Sequence, residues 1–256
     1  MQRSLRRKTI IRAIPETGEI RVDALVRLTG ASPITIRRDL TELAEAGVLR
    51  RTHGGAARPS KRGIPMPFAM RSDEHQASKR LLAAAAAELI GDDESLIIDN
   101  GTTCQAVALA LAGRPVTAIA LSLHAAAALA SIPGASVVVP GGAIENDTLA
   151  FSGAQALRAV RDVRVDVAIL GACSAAIEEG LTSTNYDDAQ VKAACLGAAR
   201  RSVLVATADK LSRTSTFRFG SAADLTHLVT TSAASDEVIA AFRGAGVQVV
   251  VVDDAG

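Results

Sequence analysis

Between Ser95 and Val252 the chain repeats one pattern: a short, almost wholly apolar run followed by a stretch with helical spacing. The runs at 95–99, 116–121, 136–139, 165–170, 202–207, 226–231 and 247–252 are strand candidates. Most carry apolar residues at odd and even positions alike, so both of their faces must be covered. Helix candidates at 102–112, 122–131, 152–161, 186–200 and 235–243 lie between most of them. Regular alternation of this kind predicts an α/β fold, a doubly wound and largely parallel sheet. Phe68 to Ile90 reads as one long helix ending at Gly91, and no repeat of solenoid period is present.

The first third of the chain follows different rules. Leu5 to Ile14 places Leu5, Ile10, Ile11 and Ile14 near one helical face and stops at Pro15; Val22, Leu25, Val26 and Leu28 mark a second short helix ended by Gly30. Ser32-Pro33 opens a third, with Ser as N-cap and Pro in the first turn. Ile36, Leu40 and Leu43 form its buried stripe, and Gly47 ends it. At 100° per residue, Ile34, Arg38 and Thr41 point the opposite way, with Thr35 and Arg37 on the flanks. Val48 to Thr52 and the glycine turn His53-Gly54-Gly55-Ala56 read as a small basic hairpin. Three helices and a hairpin make a winged helix-turn-helix. Arg58 to Pro67, with Pro59, Pro65 and Pro67, has linker composition. The expected organisation is residues 1–57 as a winged helix-turn-helix domain, 58–67 as linker, and 68–256 as an α/β domain.

Charge divides at the same place. Over 256 residues the net charge is +1, yet residues 1–62 hold 14 Lys and Arg against six Asp and Glu, a balance of +8, and the remainder balances at −7. A basic segment on an acidic body points to a phosphate-backbone partner for one part alone. Five Phe, one Tyr and no Trp leave too few rings for a single-strand stacking platform. A helix in the major groove needs hydroxyls and guanidinium groups near its N-terminus, because Arg reads guanine edges and Ser or Thr bond bases or phosphates. The candidate DNA contacts are therefore Ser32, Thr35, Arg37 and Arg38 on the third helix, and Arg50, Arg51, His53 and Gly54 in the wing.

In the α/β part, ligands are expected outside the carboxyl ends of the strands. Asp99-Asn-Gly101-Thr102-Thr103 follows a strand and opens a helix, where glycine permits close backbone approach and free amides attract an anion. It matches neither GxxxxGK[ST] nor GxGxxG, so nucleoside triphosphates and dinucleotides are not indicated. Pro140-Gly141-Gly142 follows another strand; both loops also read as plain turns. Lys192 and Lys210 lie in the right zone to meet a phosphate or carboxylate, and Asp166 and Asp187-Asp188 either bond sugar hydroxyls or cap helices. Catalytic motifs and metal-ligand spacings are missing, so no catalytic residue, metal or cofactor is expected. Cys104, Cys173 and Cys195 are odd in number and scattered, as in a reducing compartment. Arg12 and Pro15 cut the apolar run after the basic start, and Ala118 to Ile132 is too short for a bilayer, so a cytoplasmic protein without membrane contact is expected.

Thr35-Ile-Arg-Arg-Asp-Leu40, Glu45-Ala-Gly47 and Arg51-Thr-His-Gly-Gly-Ala56 together resemble the signature of the DeoR family of bacterial transcriptional regulators. The likeness runs on through Lys79, Asp99 to Thr103, Gly141-Gly142, Gly180-Leu-Thr182, Lys192 and Lys210. It implies a repressor of sugar or polyol catabolic genes that acts as a homo-oligomer, a dimer or tetramer, on double-stranded operator DNA. It also implies a C-terminal domain similar to ribose-phosphate isomerases that senses a phosphorylated small metabolite, with Asp99, Gly101, Thr102, Thr103, Ser122, Gly141, Gly142, Lys192 and Lys210 as effector-site candidates. The chain departs from the family pattern where Ala120-Leu121-Ser122 replaces Thr-Asn-Ser, where Thr207 replaces an Asp ahead of Lys210, and where Thr230-Thr231-Ser232 replaces Ile-Thr-Asp. The alternatives at this stage are an isomerase-like enzyme with a fused DNA module, and an effector-free architectural or activator protein.

Overall fold

The computed structural model describes residues 2–15, 18–45, 48–57 and 68–254. Gly47, expected to end the third helix, and the expected linker 58–67 lie outside them. The chain forms two compact units, Met1–Met70 and Arg71–Gly256.

In the first unit, α1 (Arg3–Ala13) is followed by β1 (Glu19–Arg21), α2 (Val22–Thr29) and α3 (Pro33–Glu45), then by β2 (Arg50–Thr52) and β3 (Gly55–Ala57). Ile10, Leu25, Ile36 and Leu40 are fully buried and pack with Val22, Leu43 and Leu49 into one core. Gly30 takes φ 68° at the end of α2, the left-handed conformation that lets the chain turn into α3. Ser32 caps α3: its Oγ accepts from the Thr35 amide at 3.2 Å. The hairpin β2–β3 forms as expected, and β1 joins it in an antiparallel sheet of order β1-β3-β2. The periodicity had not indicated β1, since Glu19-Ile-Arg21 is short and mainly polar.

The expected long helix over 68–90, which begins before the boundary at Met70, is two. α4 (Phe68–Asp73) and α5 (Gln76–Glu88) are separated at Glu74-His75, where His75 takes a left-handed φ of 51°. The Lys79 ammonium donates to the Arg71 carbonyl and, at 2.8 Å, to that of Glu74, satisfying acceptors that a continuous helix would have used. All seven strand candidates form: β4 (Ser95–Ile98), β5 (Thr117–Ala120), β6 (Ser136–Val138), β7 (Val165–Leu170), β10 (Ala199–Val205), β12 (His227–Thr231) and β13 (Gln248–Val252). They build one wholly parallel sheet of order β13-β12-β10-β7-β4-β5-β6. The helices α6 (Thr102–Ala110), α7 (Leu123–Leu129), α8 (Gly153–Arg161), α9 (Tyr186–Ala198) and α10 (Asp236–Gly244) match the five candidates.

Each face of this sheet is buried in its own cluster, one around Ile97, Ala168, Leu170, Leu204 and Phe242, the other around Leu82, Ile98, Val107, Leu129 and Val203. Ile97 and Ile98, adjacent in β4, thus serve opposite cores, which is why the strands read as continuous apolar runs. Three further strands escaped the periodicity: β8 (Ser174–Ala176), β9 (Gly180–Ser183) and β11 (Phe217–Gly220) form a separate antiparallel sheet of order β11-β9-β8. Asp166 lies within β7, not ahead of it; Ser95 bonds its Oδ2 through its amide at 3.0 Å and its hydroxyl at 2.7 Å. That clamp joins the amino ends of β4 and β7, away from the expected ligand end, so Asp166 neither meets a ligand nor caps a helix there.

Candidate functional site

In the first unit, α3 turns Ile34, Arg37 and Arg38 outward from the face that buries Ile36, Leu40 and Leu43. The opposite flank is braced by α1. The carboxylate of Asp39, 2% exposed, accepts from Arg6 at 2.5 Å and Arg7 at 3.4 Å, and Glu42 takes Arg3, Arg7 and Arg38. Three of the basic residues counted in the sequence therefore hold α1 to α3. The wing is tied to the same helix: Arg51 Nη1 donates to Thr41 Oγ1 at 2.8 Å. Arg50, His53 and Gly54 are exposed around the turn, where Gly54 has φ 96°. Ser32 and Thr35 share a hydroxyl–hydroxyl bond of 2.9 Å. The result is one basic surface with α3 and the hairpin in fixed register.

In the second unit, β4 delivers Asp99 to its carboxyl end, fully buried. One of its oxygens accepts from the Gly171 amide at 3.0 Å and from the Lys192 ammonium; the other takes the Asn100 amide at 3.2 Å. Lys192, 3% exposed, also faces Asp188 at 3.4 Å, and Asp188 accepts from Asn100 at 2.7 Å and Ser183 at 2.6 Å. Burial alone would lower the Lys192 pKa, but the charges of Asp188 and Asp99 outweigh it and hold the ammonium protonated well above its ordinary value. Burial likewise pushes up the thiols of Cys104 and Cys195 beside this network. Asp99 and Lys192 thus pair with each other, and Lys192 also with Asp188.

What the network does is set the loop above it. Gly101 takes φ 102°, closed to other residues, and leads straight into Thr102 at the start of α6. A Cβ at Gly101 would stand 4.0 Å from the Arg71 guanidinium. Burial lowers Lys79 from its ordinary 10.5 to about 8, opposed by Glu74 and reinforced by the positive charges of Lys210 and Arg71, so these three cations share one region. Lys210 follows β10 and pairs at 3.5 Å with Asp209. Next to them lies a cavity of about 500 Å³ at the carboxyl ends of β10, β12 and β13, lined by His75, Ser78, Thr207, Asp209, Thr231 and Asp254 among others. The structure brings Gly101, Thr102, Thr103 and Lys210 to this end of the sheet and adds Arg71 and Lys79. The basic side chains on a helix ahead of the first strand had given no periodic signal beyond the Lys79 of the resemblance.

Three other expected contributors follow β5 and β6: Ser122 stands just beyond the carboxyl end of β5, which pairs with β4, and Gly141 and Gly142 follow β6. Ser122 is 1% exposed and caps α7, accepting from the Ala125 amide at 3.1 Å. Gly141 and Gly142, with φ 72° and 87°, face Gln155 of α8. For Gly141 and Gly142 the plain-turn reading and the effector reading both remain open. Among the described residues no group of His, Cys, Asp and Glu could hold a metal ion, and no helix is long and apolar enough to cross a membrane.

The model of the DeoR C-terminal sensor domain matches residues 74–232, and that of the DeoR-like helix-turn-helix domain matches residues 6–62. The chain belongs to the DeoR family. It is a DNA-binding transcriptional regulator and not an enzyme. Relatives in this family include the glycerol-3-phosphate regulon repressor of Haemophilus influenzae, 35% identical over 90% of both chains. The repressor of the same name from Escherichia coli K12 is 31% identical over 86% of this chain and 88% of its own. The transcriptional repressor AccR of Agrobacterium fabrum is 32% identical over 82% of each. Among solved structures, ribose 5-phosphate isomerase A of Methanocaldococcus jannaschii aligns with 54% of this DeoR chain and 55% of its own at 19% identity and a TM-score of 0.39. Similarity at that level carries no argument about activity.

Proposed function

We propose that this DeoR-family regulator represses sugar or polyol catabolic genes and leaves its operator when a phosphorylated small metabolite binds its second unit. What supports this reading is the Arg71 guanidinium at the Gly101-Thr102 start of α6, where helix amides add to the positive field, with Lys210 beside Asp209 at the neighbouring cavity. A phosphate fits that corner, and the hydroxyl and carboxylate groups of the adjoining cavity suit the polyol remainder of the molecule. In this reading Asp99, Lys192 and Asp188 brace the loop, and Gly101, Thr102, Thr103, Arg71 and Lys210 meet the ligand. Residues 1–57 act on double-stranded operator DNA through Ser32, Thr35, Arg37, Arg38, Arg50, Arg51, His53 and Gly54; 58–67 link them to 68–256. The protein works in the cytoplasm as a homo-oligomer, dimer or tetramer, so that a ligand favouring one arrangement of its second units changes the spacing of paired helices on DNA.

Two relatives are glycerol-3-phosphate regulon repressors, which makes glycerol 3-phosphate the first compound to try, beside hexose and pentose phosphates. At 100 times its dissociation constant a true effector stabilises by about 2.7 kcal/mol. For a chain of this size that is a rise of roughly 5–10 °C in unfolding temperature. The same compound should release duplexes that the protein has selected from a random library, and Lys210→Met should abolish both effects. A panel in which no phosphorylated compound shifts the melting temperature or DNA affinity would defeat the proposal.

A further inference from the structure

Ile34 is 78% exposed, more than any other large apolar side chain among the described residues, and it stands in the first turn of α3. A single exposed apolar residue is ordinary on a protein surface. The position of this one is not, because it shares its face with Arg37, Arg38 and Thr41, opposite Ile36, Leu40 and Leu43. Around it the polar groups have local partners: Ser32 with Thr35, Arg38 with Glu42, and Thr41 with Arg51. Isoleucine can neither donate nor accept a hydrogen bond, so it reads no base edge by polar contact. The apolar feature a duplex offers in its major groove is the C5 methyl of thymine.

We propose that Ile34 is a specificity-determining residue that selects a thymine in each half-site through that methyl group. A helix rises 1.5 Å per residue, so Ile34 lies about 4.5–6 Å along the axis from Arg37 and Arg38. Base pairs stack about every 3.4 Å. If either arginine reads a guanine, the selected thymine therefore falls one or two steps from it. The inference rests on α3 being the element that enters the groove, as the proposed function has it, and the experiment separates the two.

Duplexes bound by the full-length protein are selected from a random library, and each enriched thymine is then replaced by deoxyuridine, which removes the methyl and nothing else. One thymine within two steps of an enriched guanine should lose about four-fold in affinity, the equivalent of the roughly 0.8 kcal/mol of one buried CH₂ or methyl group. In Ile34→Ala the thymine and deoxyuridine duplexes should bind equally while the guanine preference persists, and Ile34→Val should retain most of the discrimination. Equal unfolding curves would show that these exposed-site variants are folded. If the parent protein binds both duplexes alike, or if Ile34→Ala keeps the four-fold difference, the role of Ile34 is refuted. If Arg37→Ala and Arg38→Ala leave every sequence preference intact, the groove assignment of α3 itself fails.

Discussion

At the scale of single residues, the second unit turns on Lys192. From sequence it is a cation near the carboxyl ends of strands, equally suited to a phosphate; folded, it joins Asp99, 93 positions away, to Asp188, one turn earlier on its own helix. No local pattern reports a partner so distant, and this is why the loop was legible while the occupation of its lysine was not. Removing one member of a buried ion pair leaves the other charges unpaired in a dry site, at a cost of about 3–5 kcal/mol. Lys192→Met should therefore lower the unfolding temperature of the ligand-free protein by roughly 10 °C, measured by circular dichroism. A variant with unchanged stability and selectively lost effector response would mean that Lys192 contacts the ligand directly.

At the scale of elements, legibility followed composition. The seven strands of the parallel sheet were readable because most carry consecutive apolar residues; β1, β8, β9 and β11 were not, being three or four residues long and interrupted by polar or small residues, as in Glu19-Ile-Arg21, Ser174-Ala-Ala176 and Gly180-Leu-Thr-Ser183. The interruption at Glu74-His75 has neither Gly nor Pro to announce it, and depends on Lys79 reaching back across the gap. α3 shows the same division: its buried stripe was plain, whereas its attachment to α1 through Asp39 needed contacts 32 and 33 positions apart. Asp39→Ala would remove the buried carboxylate that Arg6 and Arg7 share and loosen both helices. Amide exchange should accelerate across α1 and α3 by one to two orders of magnitude, about 1.4 kcal/mol for each tenfold step, and stay unchanged in β4 and β7. Uniform acceleration in both units would contradict that local role.

For the whole molecule, near neutrality conceals two opposed bodies, and several arginines of the basic one are already engaged by Asp39 and Glu42. The exposed remainder should still make DNA binding steeply salt-dependent, since each phosphate neutralised contributes about 0.9 to the slope of log K against log salt. Arg50→Gln should reduce that slope by about one for each bound copy and weaken all sequences alike, as titrations at several salt concentrations would register. An unchanged slope would remove Arg50 from the phosphate contacts. The parallel sheet has a further consequence, one of timing. Its central pairing joins β4 to β7, with Ser95 and Asp166 separated by 71 positions, and β10 must still be added beside them. The three helices and the hairpin of the first unit close over shorter spans, such as the 39 positions between Arg3 and Glu42. At ribosomal rates of 5–20 residues per second, the DNA-reading unit can finish roughly 7–30 s before the centre of the sensing sheet exists. On the proposed function, each newborn chain thus passes through an interval in which its DNA-reading unit is complete and its effector site is not.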